Sequence, residues 1–469
     1  MRIVKLKTKT PECMNNKTNN MTTINLLPRH ARRRLGLLLC VCCPAIVAQA
    51  DVKYWQAADD NTGTDTRQWS TTTNWSAGAI PVNGDSLVFG AVPGATTNGL
   101  RRAQDNIPIV FLESITFTNY DGYLISSDAA TNNVILGAGG ITNDVSVTKT
   151  PGSQQARANA FRMYFELTNN LFIVNNSTQS ALNFRQEAVH FSAGNCFCID
   201  NKGFLLTFDG PGTTSFQTPD GTSHAGGAIR GAGGLTKNGT GLLTLSATNT
   251  YTGPTTVNGG RLAVTTRHAG GGAFTNADGA TLSVSVATAG TTLRMSSLTL
   301  GTASGPTTNV FDLGWLLGNP AVPVVNATNL TLNGTVYVNV TVGPWPSPGT
   351  NTLIDYDSIG GSGAIVTNIL PPGVEGYLQT NLSSSSIELV ITKAPSGGFT
   401  MPNRVPTATF TAAWGCKYRL NYKNELTDAT WSLCPWSTNL TGGYQLMTLR
   451  DTNAVGQPHR FYRLEAENP

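Results

Sequence analysis

Short runs of alternating apolar and polar residues, separated by glycine-rich turns, are the dominant pattern of this chain, and residues 233–264 show it most clearly. Within that segment Leu243 and Leu245 flank Thr244, which is the alternation of a strand with one buried and one outer face. The same alternation resumes after the turn signal at residues 258–260. Nothing in the segment pairs an acid with a base or a nucleophile, so its pattern predicts strands that stack rather than react.

Further short strands are predicted through the rest of the chain, about ten residues apart, as in an all-β sandwich, barrel or solenoid. No segment shows sustained helical periodicity. The clearest of these strands lie at residues 115–117, 123–125, 134–136, 171–174, 204–208, 298–300, 330–332, 336–342 and 387–391.

Glycines, threonines and apolar residues recur at fixed spacing in the most regular segment. They are Gly233–Lys237, Gly239, Gly241, Leu243–Ser246, Asn249–Gly253, Thr255–Val257 and Gly260–Leu262. These positions closely resemble the autotransporter-associated β-strand repeat of bacterial exported proteins. The resemblance implies an all-β fold, in which residues 51–392 form a right-handed parallel β-helix with residues 233–264 as its central coils. At about 20 to 25 residues per coil, this solenoid would contain about 14 to 17 coils.

Residues 1–50 are predicted to be a signal peptide with an upstream extension. Arg32–Arg34 precede the apolar run Leu35–Val47, and Ala48–Ala50 fits the small-x-small rule for cleavage after Ala50. An apolar run of about 13 residues is too short to span a membrane. We expect translation to start at Met21, and the protein to be exported to the extracellular space or the outer cell surface.

The composition agrees with an exported β protein, because charged residues make up only 12% of the chain and glycines number 50. The formal net charge is +4, but residues 1–50 hold nine Lys and Arg and one acid. The remaining 22 bases and 26 acids give a net charge of −4, so nucleic acid is not expected as a partner. No transmembrane segment is predicted after the leader.

The C-terminal part has a different sequence pattern from the predicted solenoid. Residues 393–409 are predicted to be a linker, and residues 410–469 a small β-sandwich-like module. The module resembles one found at the C-terminus of similar exported proteins, and Trp431 and Tyr462 are expected in its core. A classical autotransporter continues into a transmembrane barrel, for which this tail is too short. We therefore expect a chain that is secreted freely, held by another protein, or cleaved from a longer form.

Four cysteines follow the leader. Cys196 and Cys198 lie on one face of a predicted strand, where they are either buried thiols or, with a nearby histidine, metal ligands. Cys416 and Cys434 are compatible with a disulfide in an exported protein.

Tryptophans cluster at the start of the predicted solenoid. Trp55, Trp69 and Trp75 are interpreted as a cap on its first coil, and the alternative is a surface that stacks sugars.

No Walker loop, G-x-S-x-G or H-E-x-x-H motif occurs, and we predict no catalytic residue, cofactor or metal. The favoured hypothesis is an exported structural and adhesive surface rod, not an enzyme, with extracellular or cell-surface glycans as its partners. One alternative is a polysaccharide-degrading β-helix enzyme, for which Arg185, Glu187, Asp200 and Asp209 are the best candidates. Another alternative is a carbohydrate-binding surface protein that uses its tryptophans.

Overall fold

The computed structural model describes residues 50–57, 68–91, 101–108, 111–118, 122–127, 133–145, 158–185, 197–217, 227–302, 305–313, 320–341, 348–371, 374–393, 398–400, 405–412, 417–435, 440–441, 446–454 and 460–467. All of them belong to one compact unit, Ala48–Pro469. The predicted signal peptide lies outside the described residues, apart from Ala50.

Short β-strands joined by turns form the described part of the chain up to residue 393, with two 3-10 turns at Thr72–Asn74 and Ser76–Gly78 and no α-helix among the described residues. The strands are β1 Val52–Tyr54, β2 Ser86–Phe89, β3 Arg101–Asp105, β4 Phe111–Phe117, β5 Tyr123–Ser127, β6 Asn133–Asn143, β7 Asn159–Arg162, β8 Tyr164–Leu167, β9 Leu171–Asn175, β10 Leu182–Arg185, β11 Phe197–Asp200, β12 Leu206–Asp209, β13 Thr214–Gln217, β14 Ala228–Arg230, β15 Leu235–Lys237, β16 Leu242–Leu245, β17 Thr255–Val257, β18 Arg261–Thr265, β19 Phe274–Asn276, β20 Thr281–Ser285, β21 Leu293–Leu300, β22 Pro306–Asp312, β23 Val325–Leu332, β24 Thr335–Thr341, β25 Gly349–Gly360, β26 Ala364–Ile369, β27 Glu375–Asn381 and β28 Ser386–Lys393.

These strands stack in three parallel rows. The first row is an eleven-stranded sheet that runs β3-β5-β7-β10-β13-β16-β18-β20-β22-β24-β26. The second row contains β8, β11 and β14, and the third contains β9, β12, β15, β17 and β19. The long strand β6 pairs with both β8 and β9 and so joins the last two rows in one sheet. From β7 to β15 the chain contributes one strand to each row per coil, and from β15 to β20 it alternates between the third and the first rows. This stacking of parallel strands confirms the predicted parallel β-helix.

Coils of this solenoid differ in length. In the first row Leu245 pairs with Val264, 19 residues further on, whereas Phe184 pairs with Phe216, 32 residues further on. Because many coils carry extra residues in their turns, the row contains eleven described strands. The prediction of about 14 to 17 coils, which assumed short coils throughout, is wrong.

The solenoid core is a column of apolar side chains that point inward from all three rows. Phe161, Phe184 and Phe216 follow one another in register, and the last two rings stack with centroids 4.4 Å apart. Since parallel strands repeat about every 4.8 Å, in-register aromatic rings fall naturally at stacking distance.

Tryptophans close the core at its N-terminal end. Trp55, Trp69 and Trp75 are at most 2% exposed, and the rings of Trp55 and Trp75 meet edge to face at 4.9 Å. This agrees with the predicted cap on the first coil. It makes the alternative of a sugar-stacking surface wrong for these three rings, because their faces are covered by protein.

Glycines of the regular segment lie where turns of successive coils cross. A Cβ on Gly253 would lie 2.4 Å from the carbonyl carbon and oxygen of Gly233, and one on Gly241 would lie 2.1 Å from the Gly212 oxygen. Gly260 has a φ of +61°, which favours glycine. Backbone stacks directly on backbone at these turns, and this explains why the segment needs glycine at fixed intervals.

The solenoid ends in an antiparallel arrangement. β28 pairs with β25 on one side and β27 on the other, both antiparallel.

The C-terminal strands form two small antiparallel sheets. Strands β29, β30 and β34 form one, and β31, β32, β33 and β35 form the other. These strands are β29 Gly398–Thr400, β30 Thr407–Thr411, β31 Lys417–Lys423, β32 Ser432–Leu433, β33 Leu440–Thr441, β34 Leu446–Arg450 and β35 Phe461–Glu467, with a 3-10 turn at Thr452–Ala454. Strand β29 and the start of β30 lie in the segment predicted to be a linker. None of the described helical turns is long and apolar enough to cross a membrane.

Candidate functional site

The densest group of ionisable side chains among the described residues of the solenoid lies on the outer face of the second row. Asp200 at the end of β11 pairs in register with Glu166 of β8 on one side and Arg230 of β14 on the other. Because the strands are parallel and in register, three successive coils place these side chains next to one another. We call the group formed by Tyr164, Glu166, Asp200, Lys202 and Arg230 the three-coil cluster.

Asp200 is the centre of the three-coil cluster. Its Oδ2 atom accepts hydrogen bonds from Arg230 Nε at 2.9 Å and from the Tyr164 hydroxyl at 3.1 Å. Its Oδ1 atom accepts one from the backbone N–H of Lys202 at 3.1 Å. Arg230 also donates from Nη2 to the Tyr164 hydroxyl at 2.7 Å, so both carboxylate oxygens are engaged.

A second acid completes the charge balance of the cluster. Lys202 Nζ lies 3.0 Å from Glu166 Oε1 and 3.5 Å from Asp200 Oδ2. The cluster therefore contains two carboxylates and two cations, and its formal charges cancel.

The electrostatics keep Asp200 ionised. Burial by itself would raise the pKa of this carboxyl, but the hydrogen bonds from the Lys202 backbone, Tyr164 and Arg230 outweigh it and hold the pKa below its ordinary value. Burial raises the pKa of Tyr164, against the hydrogen bond from Arg230. A general acid needs a raised pKa, and a nucleophile needs a free lone pair. Asp200 has no raised pKa, and its Oδ2 atom is already bonded to Arg230 and Tyr164, so the arrangement suits the bracing of three coils.

The structure separates the three described residues among the four proposed for an enzyme. Asp200 belongs to the three-coil cluster, whereas Asp209 ends β12 in the third row with its side chain exposed. Arg185 ends β10 in the first row and is also exposed. Glu187 lies outside the described residues. Three described candidates thus lie on three different rows, so they do not form the proposed group on one face.

Sequence reasoning missed Tyr164, Glu166, Lys202 and Arg230. The Tyr164 and Asp200 side chains are 36 residues apart in the chain, and Arg230 follows another 30 residues later. Only the coil lengths bring them together, and those lengths are irregular. The one available signal was the alternation in β8, which places Tyr164 and Glu166 on the same face of their strand.

A buried lysine lies inside the regular segment. Lys237 is 3% exposed. It pairs in register with Phe208 of the coil before and Val257 of the coil after, and all three side chains point inward. Its Nζ donates to the carbonyl oxygens of Gly239 and Gly259, which belong to stacked turns. Burial lowers the pKa of this amine to about 8, although nearby Asp209 opposes the shift. The amine therefore satisfies the carbonyl oxygens of two stacked turns.

The structure tests only part of the chemistry predicted for Cys196 and Cys198. Cys198 is buried, and its thiol donates to the Arg185 carbonyl at 3.7 Å. Cys196 lies outside the described residues, and no group of three or more His, Cys, Asp or Glu side chains among those described is placed to hold a metal ion.

Cys434 lies in a polar cluster of the C-terminal module. Burial and the hydrogen-bonded carboxylate of Asp451 raise the pKa of its thiol to about 12. Arg460 Nη1 lies 2.6 Å from Asp451 Oδ2, and the Tyr462 hydroxyl donates to the same oxygen at 3.0 Å. Cys416 lies outside the described residues, so the disulfide stays a prediction.

The two aromatic residues expected in the core of the module behave differently. Tyr462 packs against the apolar core of the module, as expected. Trp431 is half-buried between two cations, with Arg463 at 4.7 Å and Lys423 at 5.1 Å from its ring centroid. The expectation of a core position is therefore wrong for Trp431.

Comparison with known proteins gives one match. Residues 235–264 match the family model of the passenger-associated-transport-repeat, which confirms the resemblance to the autotransporter-associated repeat. No curated protein and no solved structure matches the chain. The matched residues include β15, β16 and β17 and most of β18, so the repeat corresponds to consecutive strands of the solenoid. The repeat and the parallel β-helix together indicate a structural protein similar to extracellular autotransporter passengers.

Proposed function

We propose that the protein is an exported, non-enzymatic surface rod that adheres to extracellular or cell-surface glycans. The observation that carries this proposal is the three-coil cluster. It is the densest ionisable group on the described solenoid, yet its charges cancel and Asp200 is held ionised by its partners. Such a group stabilises stacked coils, and its central carboxylate, held ionised, is not a proton donor.

The passenger-type repeat supports the location part of this proposal. The export signal proposed here is the leader that ends at Ala50, cleaved to leave Asp51 as the first residue. Expression in a bacterial host, followed by N-terminal sequencing of the secreted protein, tests it. We expect the sequence to start at Asp51, and a protein that keeps Arg32–Arg34 would contradict the proposal.

The adhesive part is tested by a glycan array together with a reducing-sugar assay on the purified protein. We expect binding without release of sugar. Release of reducing ends would overturn the non-enzymatic assignment, and an array without any bound glycan would overturn adhesion. The variant Asp200→Asn tests that the cluster acts only in stability, because we expect it to lower stability and to leave glycan binding unchanged.

A further inference from the structure

Threonines form an unbroken column on the outer face of the third row. Strand register pairs each threonine with the next one, coil after coil. The column contains Thr207, Thr236, Thr256, Thr275, Thr299 and Thr331. Since parallel strands are about 4.8 Å apart, the hydroxyls repeat at about that distance along the rod.

The hydroxyls of this threonine column are not used by the fold. None of the six donates or accepts a hydrogen bond with the described part of the protein. Other threonines of the solenoid are bonded internally, for example Thr255 to Tyr251 at 2.8 Å and Thr266 to Thr291 at 2.6 Å. Thr207 is only 4% exposed, but the other five threonines are partly exposed, and each of their hydroxyls keeps one donor and two acceptor lone pairs for a partner outside the chain.

The positions two residues before and after each threonine are uncharged over the five coils from Thr236 to Thr331, whereas Asp209 is exposed on the same face beside Thr207. On one side of the column lie Pro254, Ala273 and Ser297, and on the other side the Asn258 amide donates to Asn238 Oδ1 at 2.9 Å. The outer faces of the other rows differ, because the second carries the three-coil cluster and the first carries exposed arginines such as Arg185 and Arg261. An uncharged face favours an uncharged partner, since a charged one would lose hydration without gaining an opposite charge.

An exposed aromatic ring stands at one end of the same column. Phe172 pairs in register with Thr207, and half of its surface is exposed on the outer face. A phenyl ring that is not needed in the core provides an apolar plate, on which the C–H face of a sugar ring stacks.

We propose that this face binds a neutral, extended polysaccharide along the rod axis. The threonine and asparagine side chains would bond sugar hydroxyls, and Phe172 would stack on a ring at one end. A sugar unit of an extended β-linked chain is comparable in length to the coil spacing, so successive units meet equivalent hydroxyls. Many weak contacts on one polymer then add up to firm binding. This inference rests on the proposed adhesive function and names its ligand class and its surface.

The test uses the full protein with two neutral insoluble polysaccharides, cellulose and chitin, and with polygalacturonate as a charged comparison. The triple variant Thr256→Val, Thr275→Val and Thr299→Val removes hydroxyls and keeps the β-branched shape. The matched control is Thr244→Val, Thr281→Val and Thr308→Val, three partly exposed first-row threonines whose hydroxyls also lack described partners. Circular dichroism melting shows whether each variant folds.

We expect the wild type to bind a neutral polysaccharide equally well at low and high salt. The column variant should bind at least tenfold more weakly, Phe172→Ala should also bind more weakly, and the control should bind like the wild type. Equal binding by both triple variants would overturn this inference and leave the proposed adhesive function standing. Binding to charged glycans only would overturn it likewise, whereas failure to bind any glycan would overturn both proposals. If the column variant alone melts early, Thr275→Val by itself replaces it, and binding equal to that of the wild type overturns the inference.

Discussion

At the scale of single residues, the interior of the solenoid contains polar side chains that differ in whether their hydrogen bonds are satisfied. Asn143 shows the satisfied case, because its amide donates to Asn175 Oδ1 and to the Ser180 carbonyl, both at 2.9 Å. His268 shows the opposite case. It is 4% exposed, contacts the rings of Tyr251 and Phe274, and both its ring nitrogens lack hydrogen bonds to the described protein.

Burial of His268 should make stability depend on pH. It lowers the pKa of the imidazole to about 4 from 6.5. Between those values the unfolded chain binds more protons, so stability falls as the pH drops from about 6.5 to 4, by up to about 3 kcal/mol. His268→Leu should remove this part of the pH dependence, as measured by urea unfolding at pH 7 and pH 5.

The neighbouring exposed position provides the control for this prediction. Arg267→Leu introduces the same side chain at an exposed site and should leave the pH dependence unchanged. A His268→Leu protein that loses as much stability as the wild type between pH 7 and pH 5 would contradict the assignment.

At the scale of elements, adjacent coils are coupled by their outer side chains as well as by backbone hydrogen bonds. Asp200→Asn removes the negative charge that pairs with Arg230 and should cost about 1 to 3 kcal/mol at pH 7. Because the folded pKa of Asp200 is lowered, its contribution is present above the ordinary value of 3.8 and is lost as the pH falls through the folded pKa. Denaturant unfolding at pH 7 and at pH 3 should therefore show a smaller difference between variant and wild type at pH 3.

Asp357 is the matched control for this prediction, because it is exposed on β25. Asp357→Asn should change stability by less than about 0.5 kcal/mol. A similar loss in both variants would show that the three-coil cluster does not couple the coils.

Stacked turns are the second kind of contact between coils. Gly253→Ala places a Cβ 2.4 Å from the Gly233 backbone, so the coils must separate locally, at a cost of about 1 to 3 kcal/mol or more. A Cβ on Gly360 meets nothing within 4 Å, so Gly360→Ala should be nearly neutral. Thermal melting of the two variants compares them directly, and equal melting temperatures would contradict the role given to the glycines of the repeat.

At the scale of the whole molecule, the solenoid is a linear array in which each coil contacts its neighbours. Stability of such an array is roughly the sum of coil terms and interface terms. Phe184 lies in the middle of the aromatic column, stacked between Phe161 and Phe216 at 5.2 and 4.4 Å. Phe184→Ala should cost about 3 to 5 kcal/mol and weaken the coupling between the two halves.

Hydrogen exchange followed by mass spectrometry measures this coupling. In the variant, we expect β7, β10 and β13 to exchange faster than β20 and β22, whereas the wild type should protect all five strands alike. Uniform loss of protection along the rod would show that the array unfolds as one unit and contradict the linear description.

Much of this fold was predictable because its signals are local. Alternation around Thr244 marks a strand, and turn glycines mark where strands end, whatever the rest of the chain does. The repeat and the parallel β-helix follow from such patterns in one stretch. The cap by Trp55, Trp69 and Trp75 was also predictable, since an array must close its first coil.

What only the tertiary structure decided depends on register. The coil lengths, 19 residues in one place and 32 in another, set which side chains become neighbours, and turn insertions leave no periodic mark in the sequence. The three-coil cluster, the separation of Asp200 from Asp209, and the threonine column all follow from those lengths. A strand pattern shows which face a side chain occupies, but the stacking of coils determines what lies beside it.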